Sequence, residues 1–249
     1  MGAITVGELL VRCLKAEGVE LMTGIIDGAH VPIVVPLPAY GIRYVNARHE
    51  EAAAHIAEGY ARIARRPAVV IGNPACGTGN MLAGVVSAHG EGHPILAIGT
   101  TRARLKTDPN RGGAWQAADT EAMARPICKY AATVRQWERL PGRDNQRQGD
   151  DQPAYLQIAD ELLAQTIDEQ HLPPIHPAAR YRVTDLGAGD PQAIARAALL
   201  LAGAQRPYVH AGKGVNWAGG AAALLAFGEH LGAGLGTSLG ARGTIPEDH

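Results

Sequence analysis

Two adjacent carboxylates, Glu50 and Glu51, are the first candidates for chemistry in this chain of 249 residues. They follow a short apolar run at 42–46 that is typical of a buried strand, and the Ala-rich stretch after them predicts a helix. Negative charge is favoured in the first turn of a helix, so an arbitrary Glu-Glu pair there needs no functional explanation. The nearby His49 and His55 lack the spacing of a metal site. A carboxylate at the end of a buried strand can still face a ligand instead of bulk water.

The second candidate is a glycine-rich turn, residues 72–80, which follows a predicted strand and opens a predicted helix. Turns of this kind let backbone amides approach a ligand closely. This one lacks the Lys-Ser/Thr end of a Walker loop and does not match the GxGxxG dinucleotide pattern. Cys76 has no neighbouring base and is interpreted as a small packed thiol. Gly212-Lys213-Gly214 is a lone GxG, which is more often a tight turn than a cofactor site.

Short apolar strands alternate with helical segments through the first two thirds of the chain. Thr5 is a candidate cap for the first helix, which ends near Gly18. Continuous apolar strands that alternate with helices indicate a parallel sheet covered on both faces, and therefore a doubly wound α/β fold. The predicted strands are 20–24, 42–46, 68–72, 94–99 and 154–158, and the predicted helices between them include 49–64 and 79–88.

The composition agrees with this fold class and excludes several functions. Hydrophobic residues make up 46% of the chain, with 31 glycines and one Phe, which suits cores packed by small and aliphatic side chains. The net charge of −1 gives no reason to expect nucleic acid or an anionic membrane as a partner. Three unclustered cysteines fit reduced thiols better than disulfides or a zinc site. With no signal peptide or long apolar run, we expect a soluble, cytoplasmic protein.

Two changes in composition divide the chain. Residues 135–152 are almost free of apolar side chains after Leu140 and predict a solvated loop. A proline-rich, polar stretch indicates a linker at 166–185 between a first domain, 1–165, and a second, 186–249. The second domain has only two βα repeats and a tail, so it would leave a strand edge and an apolar face uncovered. We therefore expect a complement on another polypeptide, or one lost by truncation.

The order and spacing of these blocks make the chain resemble thiamine-diphosphate enzymes of the acetolactate synthase and pyruvate oxidase group. The resemblance implies a doubly wound α/β pyrimidine-binding domain, followed by the opening half of a Rossmann-like α/β central domain. The blocks that carry the resemblance are Gly18-Val19 with Gly24, Arg48-His49-Glu50 with Ala57-Glu58-Gly59-Tyr60-Ala61-Arg62, the 77–80 turn, Ala114-Trp115-Gln116 ahead of Arg125-Pro126 and Lys129, Arg206-Pro207, Ala211-Gly212 and Gly243-Thr244-Ile245-Pro246-Glu247-Asp248-His249.

The resemblance implies cofactor-binding roles for five residues of the first domain. Glu50 matches the glutamate that hydrogen-bonds the aminopyrimidine ring of thiamine diphosphate and so activates the cofactor. A protonated carboxyl shared with a ring nitrogen needs a pocket of low polarity, which the alanines after Glu50 could help to line. Gly24, Asp27, Gly77 and Asn80 match positions in the loops beside that ring.

The resemblance also implies residues that handle the substrate. Gln116 matches a glutamine that reaches the reacting substrate in carboligases and oxidases. Trp115 beside it, together with His89 and His93, is assigned to the substrate pocket. The histidine pair of the pyruvate decarboxylase type is absent from this region, which argues against simple release of an aldehyde.

Several positions depart from the family pattern and indicate an unusual substrate pocket. His89 and His93 stand where aromatic, aliphatic or small residues are more typical. The other departures are Ile26-Asp27 in place of Pro-Gly, Ala75-Cys76-Gly77 in place of Gly-Pro-Gly, and Ala117 in place of a glutamate.

The family's magnesium-diphosphate motif, Gly-Asp-Gly followed by an asparagine, is absent from the sequence; Gly149-Asp150-Asp151 and Gly189-Asp190-Pro191 do not match it. The resemblance therefore implies that a second subunit supplies the oxygen ligands for Mg²⁺ and holds the diphosphate. We expect the α subunit of a split α2β2 carboligase or lyase that acts on a 2-oxo acid or a related ketone.

Two alternatives stay open at this point. The altered loops at Asp27 and Cys76 leave room for a non-catalytic or regulatory homologue of the cofactor domain. The chain could also be a fragment of a full-length acetolactate synthase-like enzyme. Half a central domain does not decide whether FAD binds, and the donor and acceptor substrates are left open as well.

Overall fold

The computed structural model describes residues 2–107, 109, 115–141, 152–180 and 187–249. The chain divides into two compact units, Met1–Thr184 and Asp185–His249. The sequence places a linker at 166–185, of which residues 181–185 lie outside the described residues. The boundary between the units therefore falls near the end of that stretch.

The first unit is built on a six-stranded sheet in the order β3-β2-β4-β5-β7-β6, in which every pair is parallel. This confirms the doubly wound α/β class expected from the sequence. Its elements are β1 (Ala3–Thr5), α1 (Val6–Ala16), β2 (Leu21–Gly24), α2 (Val31–Val34), β3 (Arg43–Asn46), α3 (Glu50–Ala64), β4 (Ala68–Gly72), α4 (Cys76–Glu91), β5 (Ile95–Thr101), α5 (Arg104–Thr107), α6 (Thr120–Ala124), β6 (Tyr130–Val134), β7 (Ala154–Ala159), α7 (Asp160–Ala164) and β8 (Thr166–Asp168).

Helix α1 shows how local sequence sets an element. The Thr5 side chain accepts a hydrogen bond of 3.1 Å from the Glu8 amide, which satisfies one of the free N–H groups at the start of the helix. Leu9, Leu10 and Leu14 then recur at helical spacing and are buried against the sheet. The predicted cap and apolar face are confirmed.

Both faces of the large sheet are covered. One core lies between the sheet and α1, α2 and α7, and it contains Leu10, Met22 and Ile98. The other lies between the sheet and α3, α4 and α6, where alanines of α3 allow close packing and Tyr155 is fully buried. Burying apolar side chains on both faces is what makes the central strands continuous apolar runs in the sequence.

The structure adds strands to those expected from the sequence. Edge strand β6 pairs with β7, and β8 pairs antiparallel with β1, so that Ile4 lies opposite Ile167. Thr166–Asp168 thus joins the first unit, whereas the sequence had assigned these residues to the linker. Of the predicted loop at 135–152, residues 142–151 lie outside the described residues.

The second unit has a much smaller sheet, formed by two parallel strands. Helix α8 begins at Pro191 under an Asp190 cap, yet none of its residues is buried. Leu199 and Leu200 are 77% and 78% exposed. The elements of this unit are α8 (Pro191–Ala202), β9 (Tyr208–Ala211), α9 (Lys213–Trp217), α10 (Ala221–Leu231) and β10 (Gly234–Thr237).

Candidate functional site

The order in which successive strands are added to the large sheet reverses at β2, which lies between β3 and β4. Strand β3 lies on one side of β2 and β4 on the other, and helices α2 and α4 cover opposite faces. In open α/β sheets, ligands bind in the crevice at the carboxyl ends of the strands where the order reverses. Gly24 ends β2 and Asp27 follows in the next loop, Glu50 begins α3, and Gly77 and Asn80 lie near the start of α4. The fold therefore gathers these five predicted residues at that point.

Glu50 is the first residue of α3, directly after the His49 cap, and only 6% of it is exposed, whereas its neighbour Glu51 is exposed. The Asn80 side-chain amide donates to Glu50 Oε2 over 3.2 Å. Among the described residues this is the hydrogen bond that reaches the Glu50 carboxylate. A buried carboxylate held by one neutral donor is unusual, because burial of charge is costly without full compensation. The burial of Glu50 does not fit the interpretation that it is an exposed carboxylate favoured only by the first turn of the helix.

Gly77 lies directly against the Glu50 carboxylate. Its amide donates to Asn73 Oδ1 over 2.6 Å, which fixes the start of α4. A Cβ atom at position 77 would lie 2.6 Å from Glu50 Oε1 and 2.3 Å from Asn73 Oδ1. Close packing against the side chains of Glu50 and Asn73 therefore favours glycine at this position.

The loop after β2 packs against the same region. A Cβ atom on Gly24 would lie 2.6 Å from the carbonyl oxygen of Ile71 on β4, so this residue also has to be glycine. Asp27 uses its carboxylate to cap its own turn, since Oδ1 accepts from the Ala29 amide over 2.9 Å. Its backbone amide donates to His30 Nδ1 over 3.2 Å. Asp27 thus shapes the loop.

His30 is a buried residue of this edge that the sequence analysis missed. It is 0% exposed, and its Nε2 lies 3.2 Å from Thr100 Oγ1 on β5. Burial lowers the pKa of the imidazole, while hydrogen bonding to the backbone of Gly72 and Ile25 and the charges of Asp27 and Glu50 oppose this effect. The available signal was a histidine placed just after the Gly28-Ala29 turn at the end of a buried strand.

Gln116 and Trp115 belong to a second part of the carboxyl edge. Gln116 lines a cleft of about 430 Å³ at the ends of β5, β6 and β7, where it accepts a hydrogen bond from the Arg102 guanidinium. Its backbone has a φ of 62°, a conformation that residues other than glycine adopt rarely. Trp115 is 77% exposed. The neighbouring Ala114 lies outside the described residues.

His89 and His93 lie at the opposite end of α4, and the structure does not bring them together with Glu50. Asn80 is in the first turns of α4, and His89 follows nine residues later, roughly 13 Å along the helix axis. His93 precedes β5 and therefore lies at the amino edge of the parallel sheet. The structure therefore places both histidines of the predicted substrate pocket away from Glu50, and their role in that pocket stays a prediction.

His93 instead belongs to a buried polar cluster between α3 and α4. It is 2% exposed, and its Nδ1 lies 3.2 Å from Glu58 Oε1. Glu58 also accepts from the Ser87 hydroxyl over 3.1 Å and lies 3.1 Å from His55 Nδ1. These contacts satisfy a buried carboxylate and tie the two helices together.

The described residues include no group of three or more His, Cys, Asp or Glu side chains arranged to hold a metal ion. In the same part of the chain, no helix combines the length and the apolar character needed to cross a bilayer.

Two family models match the chain in the order in which its units occur. "Thiamine pyrophosphate enzyme, N-terminal TPP binding domain" matches residues 4–123, and "Thiamine pyrophosphate enzyme, central domain" matches residues 194–249. The chain therefore belongs to the thiamine pyrophosphate enzymes. Its relatives within that family include acetolactate synthase large subunits.

Three curated relatives illustrate the range of names. The chain is 30% identical to the probable acetolactate synthase large subunit of Methanococcus aeolicus, over 97% of this chain and 41% of that protein. It is 32% identical to the probable 2-ketoarginine decarboxylase of Pseudomonas aeruginosa, over 98% and 44%. It is also 32% identical to the glyoxylate carboligase of Escherichia coli O157:H7, over 95% and 40%. The chain thus spans about two fifths of the length of these relatives.

A solved structure shares the fold. It is described as a "putative thiamin diphosphate-dependent enzyme isolated from Mycobacterium smegmatis", and it matches 98% of this chain and 47% of its own length with a TM-score of 0.73. At 24% identity, this likeness supports the α/β architecture.

Proposed function

We propose that this chain is one subunit of a thiamine-diphosphate-dependent carboligase or lyase, in which Glu50 activates the cofactor. The substrate class is a 2-oxo acid or a related ketone. One observation carries the proposal: Glu50 is a buried carboxylate at the crevice where the strand order reverses, and it contacts Asn80 and Gly77. Family membership supports the identity of the cofactor.

The residues around Glu50 fit a planar ring that carries a hydrogen-bonding nitrogen. Gly77 lets the start of α4 lie close to the carboxylate, because a side chain there would collide with Glu50 Oε1. Asn80 holds the other oxygen, Oε2, and so orients the carboxyl group. Thiamine diphosphate, when bound, supplies an electron sink for the carbanion left by decarboxylation or C–C cleavage. From its buried position, Glu50 would hold a proton at the ring nitrogen of bound thiamine diphosphate through a hydrogen bond.

The loop after β2 provides another wall of the proposed site. Gly24 allows the β2 backbone to lie close to β4, and the Asp27 cap keeps residues 27–30 in a compact turn. We assign Gly24, Asp27, Gly77 and Asn80 to binding of the pyrimidine end of the cofactor. Their contribution is shape and a fixed backbone more than charge.

Gln116 is assigned to orienting the substrate, in the cleft beside the ends of β5, β6 and β7. Its side-chain oxygen is held by Arg102, which leaves the amide N–H groups of Gln116 as donors for a substrate oxygen. Trp115, being exposed next to it, is the proposed apolar neighbour. The names of the relatives include a carboligase and a decarboxylase, so the acceptor of the reaction is left open.

A second chain completes the proposed enzyme. The described residues of this chain hold no metal-ligand cluster, and a diphosphate needs a divalent cation with oxygen ligands. Two observations support a partner that brings Mg²⁺ and the diphosphate site: the chain spans about 41% of its relative's length, and α8 exposes an apolar face. Closed symmetry then favours two copies of each chain, α2β2.

The experiment compares Glu50→Gln with Glu51→Gln in the chain co-expressed with a candidate partner that bears a magnesium-diphosphate motif. Glu51 is the matched control, because it is the adjacent carboxylate and is exposed. We expect Glu50→Gln to lower kcat for a 2-oxo acid by about 100-fold or more, and Glu51→Gln to leave it nearly unchanged. Full activity of Glu50→Gln would refute the catalytic assignment.

Two alternatives are separated by binding and by mass. A non-catalytic homologue of the cofactor domain predicts no thiamine diphosphate binding, either by the chain alone or by its complex. A fragment of a longer acetolactate synthase-like enzyme predicts a reading frame longer than 249 residues. Titration of the cofactor and native mass measurement of the expressed protein distinguish these outcomes from an α2β2 assembly.

A further inference from the structure

Two loops at the carboxyl edge of the sheet meet at a single buried side chain, the imidazole of His30. Its Nδ1 lies 3.2 Å from the Asp27 amide nitrogen and 3.2 Å from the Ile25 carbonyl oxygen, both in the loop after β2. Its Nε2 lies 3.2 Å from Thr100 Oγ1 at the end of β5. No solvent reaches His30, so each of these contacts has to satisfy a polar group inside the protein.

The contacts favour one tautomer of the ring. The Asp27 amide can only donate to Nδ1, whereas the Ile25 carbonyl oxygen, at the same distance, could only accept from it. An Nε2–H ring accepts from the Asp27 amide and donates to Thr100 Oγ1, whereas an Nδ1–H ring would leave the Asp27 amide without this acceptor. Thr100 in turn donates its hydroxyl proton to the Gly72 carbonyl oxygen over 3.2 Å. His30 thereby joins the β2 loop to the end of β4.

From β4 the contacts continue to Glu50. Thr78 donates its hydroxyl proton to the Asn73 carbonyl oxygen over 3.0 Å, with the Gly72 carbonyl oxygen 3.4 Å away. Asn73 Oδ1 accepts from the Gly77 amide, and Gly77 lies against the Glu50 carboxylate. The turn on which Glu50 rests is therefore connected to His30 through hydrogen bonds and one close contact.

We propose that His30, as a neutral Nε2–H imidazole, is a positioning residue that locks the loop after β2 to the turn beneath Glu50. This inference rests on the proposed function for the use made of Glu50, while the lock itself is a property of the folded chain. Burial lowers the pKa of the ring and so favours its neutral form, against the opposing charges of Asp27 and Glu50. A protonated ring would carry a proton on Nδ1, which could donate to the Ile25 carbonyl oxygen but would remove the acceptor of the Asp27 amide.

The first measurement is the tautomer of His30 in the full chain, by long-range ¹H–¹⁵N correlation spectra between pH 8 and pH 5.5. We expect an Nε2–H ring whose nitrogen shifts change little over this range. An Nδ1–H tautomer, or a ring that titrates like a free histidine, would overturn the proposal.

The second measurement is the exchange rate of the Gly77 amide relative to that of Val70, which lies in the central strand β4. We expect His30→Leu and Thr100→Val each to speed exchange of Gly77 by about ten-fold relative to Val70, with little further effect in the double variant. His30→Gln keeps a donor near the position of Nε2 and should restore the ratio to within about three-fold of the original. Equal acceleration of both amides would show a merely structural role and overturn the proposal.

His93→Gln is the control variant, because His93 is also buried but lies at the amino edge. It should leave the ratio of Gly77 to Val70 exchange unchanged, and a change as large as that of His30→Leu would contradict the proposed path. These readouts are independent of activity. An inactive Glu50→Gln variant with an unaltered His30 ring supports both proposals, and a fully active one refutes only the function.

Discussion

The two units of this chain share an α/β pattern but differ in how completely they are packed. In the first unit both faces of a six-stranded sheet are covered, and the central strand β4 is buried along its whole length. In the second unit two strands pair, and the buried hydrophobic side chains among its described residues are Ala211, Leu224 and Ala241. Because a two-stranded sheet is marginal alone, we propose that the second unit gains stability from a further surface, whereas the first unit buries its sheet on both faces by itself.

Amide exchange tests this comparison most directly. We expect the amides of β4 to exchange at least about a thousandfold more slowly than those of β9, because β4 opens only with its unit whereas β9 has one neighbouring strand. The measurement is native-state hydrogen exchange of the full chain, followed by NMR or mass spectrometry. Similar protection of both strands would show that the second unit is complete as it stands. Slower exchange of β9 after addition of a partner would sharpen the comparison.

A leucine pair tests the same contrast by substitution. Leu10 is fully buried in α1, and Leu200 is exposed in α8. We expect Leu10→Ala to lower the free energy of unfolding by about 2 to 5 kcal/mol, since it removes buried methyl groups and leaves a cavity. Leu200→Ala should change it by less than about 0.5 kcal/mol. Urea unfolding followed by circular dichroism measures both, and a large loss from Leu200→Ala would mean that α8 is packed.

Leu200 on its own also tests the proposed contact with a partner chain. In a co-purification experiment, Leu200→Ala should weaken retention of the second chain if α8 forms part of the interface. Exposed apolar side chains on a helix face are typical of such surfaces. Unchanged retention would place the interface elsewhere on this chain.

Much of the first unit could be predicted from its sequence, and the reason is its burial. Strand β4 was predicted with the bounds it has, because a strand buried on both faces is a continuous apolar run. Edge strand β6 was missed, since Tyr130-Ala131-Ala132-Thr133-Val134 has no such run and becomes a strand by pairing with β7. The three-residue strands β1 and β8 depend on each other in the same way.

The residues of the candidate site also differ in how well the sequence predicts their positions. Glu50 could be located because it follows a predicted strand and matches the family pattern, and the fold brings it together with Gly77 and Asn80. The expectation that this strand is buried was wrong, since β3 lies at the edge of the sheet and none of its residues is buried. His30 could not, since a lone histidine in a loop shows neither its burial nor its partners. The position of His93 was readable in principle, because a residue that precedes a parallel strand lies at the amino edge.

Two glycines in helices, Gly84 and Gly214, should change stability in opposite directions when each is replaced by alanine, and by less than Leu10→Ala does. A Cβ atom on Gly84 in α4 would lie 2.6 Å from Ala54 Cβ and 2.9 Å from the Glu51 carbonyl oxygen, whereas one on Gly214 in α9 would meet nothing within 4 Å. We expect Gly84→Ala to destabilise the first unit by about 1 to 3 kcal/mol through overpacking. Gly214→Ala should stabilise the second by up to about 1 kcal/mol, since alanine favours the helix. Thermal unfolding that moves in the same direction for both would contradict the packing contrast.

The smallest expected effect is a pH dependence confined to the first unit. Burial lowers the pKa of His30 below its ordinary value of 6.5, so the folded unit binds fewer protons than the unfolded chain below that pH. The stability linked to His30 is therefore intact above about pH 6.5 and is lost as the pH falls toward the lowered pKa of the folded state.

The measurement is the urea midpoint of the chain and of His30→Gln at pH 8, 6.5 and 5. The unaltered chain and the His30→Gln variant have the same carboxylates, so the effect of carboxylate titration cancels when their urea midpoints are subtracted. The pH dependence that remains in this difference belongs to the His30 imidazole. We expect a steeper loss for the unaltered chain, with the exchange of β9 amides responding equally in both proteins. Parallel pH profiles would mean that the folded state accommodates a charged His30, and the buried edge of the first unit would then be less closed than its contacts indicate.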